Sequence, residues 1–458
     1  MGTLLVKNIH TLVTMDEARR EIRHGALFVR DNVIEQVGTT ASLEASLATM
    51  PADEVLDLGD RHVVLPGLVN THHHFFQTLT RAVPVAQNCD LFNWLQTLYP
   101  MWSKLTAKGV YASAKMAAAE LMLSGCTTAS DHLYLYPNDC TLDDEIRATQ
   151  NIGIRFHASR GSMSLGESQG GLPPDTLVES EKDILKDSQR LVEQYHDNSR
   201  HAMMRIVLAP CSPFSVSSDL MRESAAMARS YEGVRLHTHL AENKSDVDYS
   251  LSKFGLRPGD YAESVGWLGD DVWHAHCVQL SDDAISKFAR TGTGVAHCPC
   301  SNMRLASGIA PIRQMLDKGV AVGMGVDGAA SNDASNLLQE SRTAFLVARV
   351  REQSAAAMTA REALEMATLG GTKVLGRDDI GYLAPGMSAD FVAFNIDTPA
   401  LVGSHHDVVA ALIFCQPPAA VDYSFINGKK VIDQGKLVTV DLAKLTETCN
   451  QLAEAMLS

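Results

Sequence analysis

Eight apolar, strand-like runs alternate with helical patterns through the middle of this chain, and that alternation limits the fold more than any other feature. The runs cover residues 63–70, 127–131, 154–158, 205–209, 234–239, 272–276, 294–297 and 320–326. Between the first two, residues 112–124 form an Ala- and Met-rich helical pattern closed by Gly125, a residue suited to a helix C-terminus. Strands separated by helices build parallel βα units. Eight units over roughly three hundred residues is the count of an α/β fold of the (β/α)8 TIM-barrel type. A doubly wound open sheet is the alternative. It needs a Gly-rich phosphate loop after its first strand, and none stands there.

Both ends read as short strands joined by tight turns. Residues 4–15 are one extended segment, and 26–30 and 33–37 flank Asp31-Asn32, a hairpin signal. Late in the chain, 389–394 reads as a strand, while 423–426 and 430–432 flank Asn427-Gly428, the strongest short hairpin signal. This predicts a small β-sandwich domain formed by both termini. Residues 1–64 give its N-terminal part, 65–377 the barrel, and 378–458 its C-terminal part with a tail helix near 442–457.

In a barrel, the C-terminal ends of the strands converge on one site. The first run ends Leu65-Pro-Gly-Leu-Val-Asn-Thr-His-His-His74, and i, i+2 spacing along a strand sends His72 and His74 to one face. The fifth reads Arg235-Leu-His-Thr-His-Leu-Ala-Glu242, which puts His239 at the strand end and Glu242 on the turn. The sixth ends His274-Ala-His276, and the eighth ends in Asp327. His237 and His274 alternate with these and are expected to pack or hydrogen-bond just below. Asp327 taken alone is equally a helix cap. Imidazoles with one carboxylate at separate strand ends suit one divalent metal ion, Zn²⁺ first and Fe²⁺ second. Such an ion lowers the pKa of a water it binds from about 15.7 toward roughly 7. Asp327 is then placed to accept a water proton, and Glu242 to shuttle it, with a pKa raised by burial. His276 either completes the metal shell or orients the attacking water.

The remaining composition excludes more than it assigns. A net charge of −15, with no block of Lys or Arg, argues against a nucleic-acid partner. No apolar stretch reaches transmembrane length, and the first residues match neither a secretory signal nor a myristoylation pattern, so no membrane partner is expected. Nine scattered cysteines, several inside apparent core strands, suit free thiols in a reducing cytoplasm. Cys298-Pro-Cys300 lacks a second cysteine pair and reads as small strand residues rather than a metal pair.

The ordered set Pro66-Gly-Leu-Val-Asn-Thr-His-His-His74, His239-Leu-Ala-Glu242, His276, His297-Cys-Pro-Cys-Ser-Asn302 and Gly325-Val-Asp-Gly328 resembles the amidohydrolase superfamily over essentially the whole chain. The nearest branch is that of cytosine and guanine deaminases and triazine hydrolases. The resemblance implies a mononuclear metal on His72, His74, His239 and Asp327, with His276 close enough to count as a fifth ligand. It implies Glu242 and Asp327 as the proton-transfer pair. Binuclear members carry a carboxylated lysine on the fourth strand; here that strand reads Arg205-Ile-Val-Leu-Ala-Pro-Cys-Ser212 and has none.

Four residues are candidates for holding a small heterocyclic substrate. Gln77 stands three residues beyond His74, and its carboxamide both donates and accepts, which suits the amide edge of a purine or pterin. The resemblance implies that role for Gln77. Trp94 or Trp102 either stacks on a planar ring or packs in the core. Arg160 pairs either with a substrate carbonyl or with a structural carboxylate. The run Asn70-Thr-His-His-His-Phe-Phe-Gln-Thr-Leu-Thr-Arg-Ala-Val-Pro84, followed by Leu91-Phe-Asn-Trp-Leu95, is most similar to 8-oxoguanine deaminases, with isoxanthopterin deaminase and triazine chlorohydrolases next. Guanine enzymes typically show Arg-Phe on the fourth strand, where this chain has Pro210-Cys211. The resemblance therefore implies hydrolytic deamination of 8-oxoguanine to urate, with isoxanthopterin, guanine or a triazine as alternatives, by an aminohydrolase that assembles as a homo-oligomer.

Overall fold

In the computed structural model, which describes residues 2–415 and 420–458, the eight runs close on themselves. The barrel strands are Leu68–Asn70, Cys126–Leu133, Arg155–Ser162, Met204–Pro210, Arg235–Leu240, Val272–His276, Gly294–His297 and Val322–Met324. Every neighbouring pair is parallel, and Met324 opposite Asn70 joins the last strand to the first. Closure leaves no edge, so the backbone polar groups are paired within the ring. Seven of the strands are buried throughout, and the fifth, Arg235–Leu240, is buried beyond its first residue.

The first run is not one strand. His62–Pro66 belongs to the terminal sheet, where it pairs antiparallel with Phe391–Asn395 and parallel with Thr3–Val13. Only Leu68–Asn70 enters the barrel. The chain crosses between the two sheets at Gly67, where a Cβ would lie 2.0 Å from Thr127 Oγ1. No side chain fits that approach, and apolar patterning alone does not show the crossing.

The terminal strands form a nine-stranded mixed sheet drawn from both ends of the chain. Its main core brings Leu12, Leu27, Val29 and Ile34 of the N-terminal part against Phe391 and Phe425 of the C-terminal part. Both hairpin signals hold. Arg30 pairs with Val33 across Asp31-Asn32, and Ile426 pairs with Lys429 across Asn427-Gly428. Asn427 and Gly428 both have positive φ (52° and 75°), as a type I′ turn requires. The tail helix, Leu442–Leu457, buries Leu445, Cys449 and Met456.

Under the barrel, Arg155 clasps the two sheets together. Its guanidinium donates to both carboxylate oxygens of Asp390 at 2.8 and 2.9 Å and to the carbonyls of His201 and Ala202. Asp390 also accepts from Asn427 N at 2.7 Å. All nine cysteines are free thiols. No helix among the described residues is long and apolar enough to cross a membrane.

Candidate metal centre and active site

Hydrogen-bond partners fix the tautomer of each histidine at the strand ends. A carbonyl oxygen only accepts, so a ring nitrogen facing one carries the proton. His74 Nδ1 donates to His132 O and His239 Nδ1 to Cys211 O, both at 2.7 Å. His237 Nδ1 donates to Trp273 O at 3.1 Å, which leaves its Nε2 to accept from His72 Nδ1 at 2.8 Å. His237 therefore lies below the site and orients a ligand, while its ring stacks on Trp273. Outer partners of this kind are what hold metal-ligating imidazoles in place.

The three inward Nε2 atoms are then lone pairs meeting in one place. His74 Nε2 and His239 Nε2 are 3.1 Å apart, and His72 Nε2 and His74 Nε2 each lie 3.3 Å from Asp327 Oδ1. His72 Nε2 has no hydrogen-bond partner. A proton between the 3.1 Å pair would relieve their repulsion, but burial drives the pKa of His74 down to about 3 and that of His239 well below its usual range. A cation fits instead. Ligands at ~2.0–2.1 Å around a tetrahedral ion stand roughly 3.3 Å from one another, the spacing seen here. The residues present thus suit a divalent metal held by His72, His74, His239 and Asp327. Among the described residues, no other cluster places such ligands together apart from those sharing these histidines or Asp327.

Asp327 is gripped on every side. Its Oδ1 accepts from Gly328 N at 2.7 Å, and its Oδ2 accepts from Ser301 Oγ at 2.5 Å and Ser331 Oγ at 3.0 Å. Burial opposes its charge, yet His72, His276 and His74 outweigh burial and hold its carboxyl well below the usual range. Asp327 (φ 64°), His276 (70°), Cys277 (53°) and Ala241 (52°) all take left-handed backbone at strand ends. Such residues cost on the order of 1–3 kcal/mol each and gather at functional sites.

His276 Nε2 sits between the two carboxyls, 3.5 Å from Glu242 Oε2 and 3.9 Å from Asp327 Oδ2. Its Nδ1 faces Asn302 Oδ1 at 2.9 Å. Burial works against its positive charge, but Glu242 and Asp327 raise its pKa. Glu242 is 3% exposed, and burial lifts it to about 7, against the pull of His276. A carboxyl near 7 gives and takes protons with equal ease at neutral pH.

Above these groups lies a small cleft, into which His74, His239, Glu242, His276 and Asp327 face. Its walls include Leu91, Trp94, Leu95, Phe214 and Leu305, with Gln77, Tyr99, Tyr134, Cys211 and Ser331 as polar points. Gln77 is 1% exposed; its Nε2 reaches Tyr134 OH at 3.4 Å and its Oε1 has no partner.

Two candidates lie elsewhere. Arg160 is a structural cation: it donates to Glu179, Asp187 and Gly161 O, and stacks over Tyr136. Those partners take four of its five N–H donors, and it does not line the cleft. Trp102 is fully buried behind the cleft, bonded through Nε1 to Thr80 Oγ1 and packed on Phe76, Trp94 and Tyr99. Trp94, about two helical turns toward the N-terminus, is the tryptophan at the cleft wall.

Sequence reasoning missed His132, which closes the second barrel strand. It stacks on His239 with centroids 5.1 Å apart, donates from Nε2 to Ala209 O, and has an unpartnered Nδ1. The strand-end rule that found His239 would also have found it.

Comparison with known proteins agrees with this geometry. The amidohydrolase family profile matches residues 63–431. An 8-oxoguanine deaminase of Pseudomonas aeruginosa is 45% identical over 437 residues, covering 95% of each chain. An isoxanthopterin deaminase from an unknown prokaryotic organism is 35% identical, over 93% of this chain and 92% of its own. The crystal structure of an atrazine chlorohydrolase from Arthrobacter aurescens in complex with zinc superposes with a TM-score of 0.93 at 32% identity, covering 98% of this chain and all of the other. The chain belongs to the amidohydrolase family, and it is a hydrolase acting on C–N bonds.

Proposed function

We propose that this protein uses water to remove the exocyclic amino group of an oxidised guanine-type base, taking 8-oxoguanine and water to urate and ammonia. His72, His74, His239 and Asp327 would hold one divalent cation, zinc ahead of ferrous iron. The observation that carries the chemistry is the meeting of three imidazole lone pairs and one carboxylate, buried, beside a carboxyl lifted to about 7. The 45% identity to an 8-oxoguanine deaminase supports the substrate.

A cation bound there would supply Lewis acidity, easing the loss of a proton from water at the site. Asp327, its Oδ2 held by two serine hydroxyls, accepts a proton from the attacking water. Glu242 delivers its proton to the ring nitrogen next to C2, the proton taken up by Asp327 passes to the leaving nitrogen, and Glu242 recovers a proton from the hydroxyl that becomes the C2 carbonyl. The water oxygen forms a bond to C2, the C2–N bond breaks, and nitrogen departs as ammonia. His276 keeps Glu242 and the attacked carbon in line from between the two carboxyls. Gln77 pairs its free Oε1 with a ring N–H, and the apolar walls hold the flat ring while excluding bulk water.

A panel of aminopurines, pterins and triazines, assayed for ammonia and chloride with zinc-loaded protein, tests this reading. The expected order is rapid ammonia release from 8-oxoguanine, slower from guanine, and no chloride from chlorotriazines. The fold is shared with triazine hydrolases, so chloride release without ammonia from any purine would replace the purine reading with a triazine one.

A further inference from the structure

The motif His297-Cys-Pro-Cys-Ser-Asn302 supplies none of the residues assigned above to metal or proton transfer. Yet two consecutive side chains of the helix Pro299–Arg304 each touch one of those residues. Ser301 is fully buried and donates to Asp327 Oδ2 at 2.5 Å. Asn302 is 1% exposed and presents Oδ1 to His276 Nδ1 at 2.9 Å. Both partners stand on other strands, the eighth and the sixth. The helix itself is tied down by Glu340, whose Oε1 accepts from Cys300 N at 2.8 Å. The other carboxylate oxygen of Glu340 accepts from Asn332 Nδ2 at 3.1 Å, and Asn332 Nδ2 also donates to Val326 O, next to Asp327. One short helix is thus fixed to the loop that carries Asp327 and reaches His276 from the same base.

The two contacts do different things. Asp327 turns Oδ1 toward His72 and His74, and the Ser301 hydroxyl, the shorter of the two on Oδ2, helps set the rotation of the carboxylate together with Ser331 and Gly328 N. Asn302 decides which ring nitrogen of His276 carries the proton. With Oδ1 facing it, Nδ1 is protonated, so Nε2 turns toward the gap between Glu242 and Asp327 in a fixed orientation. The reversed amide would donate instead and place the proton on Nε2. Neither Ser301 nor Asn302 lines the cleft.

We propose that Ser301 and Asn302 are a paired positioning element: Ser301 aims Asp327 at the metal, and Asn302 fixes the tautomer and orientation of His276 for proton transfer. This rests on the deaminase reading for its kinetic arm only. Residues that orient ligands in this way typically contribute about 10- to 100-fold in metal affinity or activity.

The test compares Ser301→Ala, Asn302→Leu and Asn302→Asp with the wild type. Zinc affinity by chelator competition, kcat and KM at saturating zinc, and ¹⁵N NMR of histidine-labelled protein are the readouts. Ser301→Ala is expected to weaken zinc about 10- to 100-fold, and excess zinc is expected to recover most of kcat. Asn302→Leu is expected to keep zinc affinity within a few-fold and KM nearly unchanged, while kcat falls about 10- to 100-fold. The Nδ1–H signal of His276 should disappear in that variant. Asn302→Asp, which keeps an acceptor in the same place, should restore both the signal and most of kcat. Equal losses in Asn302→Leu and Asn302→Asp, unchanged zinc affinity in Ser301→Ala, or an Nε2–H tautomer in the wild type would overturn the proposal. If no purine is turned over at all, the zinc and NMR arms still decide it.

Discussion

Replacing Glu242 with Gln should make the metal-free protein more stable and the enzyme nearly inactive. Burial lifts the Glu242 carboxyl from 4.5 to about 7, and His276, 3.5 Å away, pulls against that rise. At ~1.4 kcal/mol for each tenfold change in proton affinity, the ionised form costs ~3 kcal/mol more in the fold than in the unfolded chain. The folded pKa is the higher one, so stability is full below 4.5 and falls as pH rises through 7. Gln is isosteric and carries no charge, so its variant escapes that loss. Urea unfolding of both metal-free proteins at about pH 4.5 and about pH 8 reports Glu242 together with the neighbours it is coupled to, His276 first. The wild type should lose ~3 kcal/mol relative to the variant across that interval. The same substitution should leave zinc content intact and reduce turnover by about 10²- to 10⁴-fold. Parallel pH profiles of stability, or wild-type turnover in the variant, would refute the reasoning.

Four further outcomes are expected. Asp390→Ala strands the buried Arg155 guanidinium and should cost about 3–5 kcal/mol in denaturant unfolding, with zinc affinity unchanged. Gly328→Ala places a Cβ 1.8 Å from Gln77 Oε1 and must displace that side chain, so KM should rise while zinc stays bound; an unchanged KM would remove Gln77 from substrate recognition. Arg160→Ala should lower stability by about 1–3 kcal/mol and leave KM alone, which a steady-state titration checks. Stripping the metal with a chelator should abolish turnover, and zinc at about 100 times its Kd should return ~2.7 kcal/mol of stability, seen as a raised melting temperature.

The barrel was legible because each strand is a run of apolar residues, and the site because its ligands occur one strand end at a time. Alternation predicted that His72 and His74 share a face, and that His237 lies below His239; both hold. What stayed hidden depends on contacts between distant segments. The crossing at Gly67 is set by Thr127, which no local pattern announces. Arg160 and Trp102 were placed by residue type, but their surroundings are chosen by Glu179, Asp187 and Thr80. The roles of Ser301 and Asn302 follow from two strands they are not part of. His132 was legible and overlooked, since its strand ends in a histidine as plainly as the fifth does.

Everything chemical in this account depends on a single cation between four side chains. Anomalous diffraction at the zinc edge from crystals of zinc-loaded protein measures that directly. One peak per chain is expected, at about 2.0–2.2 Å from Nε2 of His72, His74 and His239 and from Asp327 Oδ1. A peak away from these atoms, or none in protein that contains stoichiometric zinc, would contradict it.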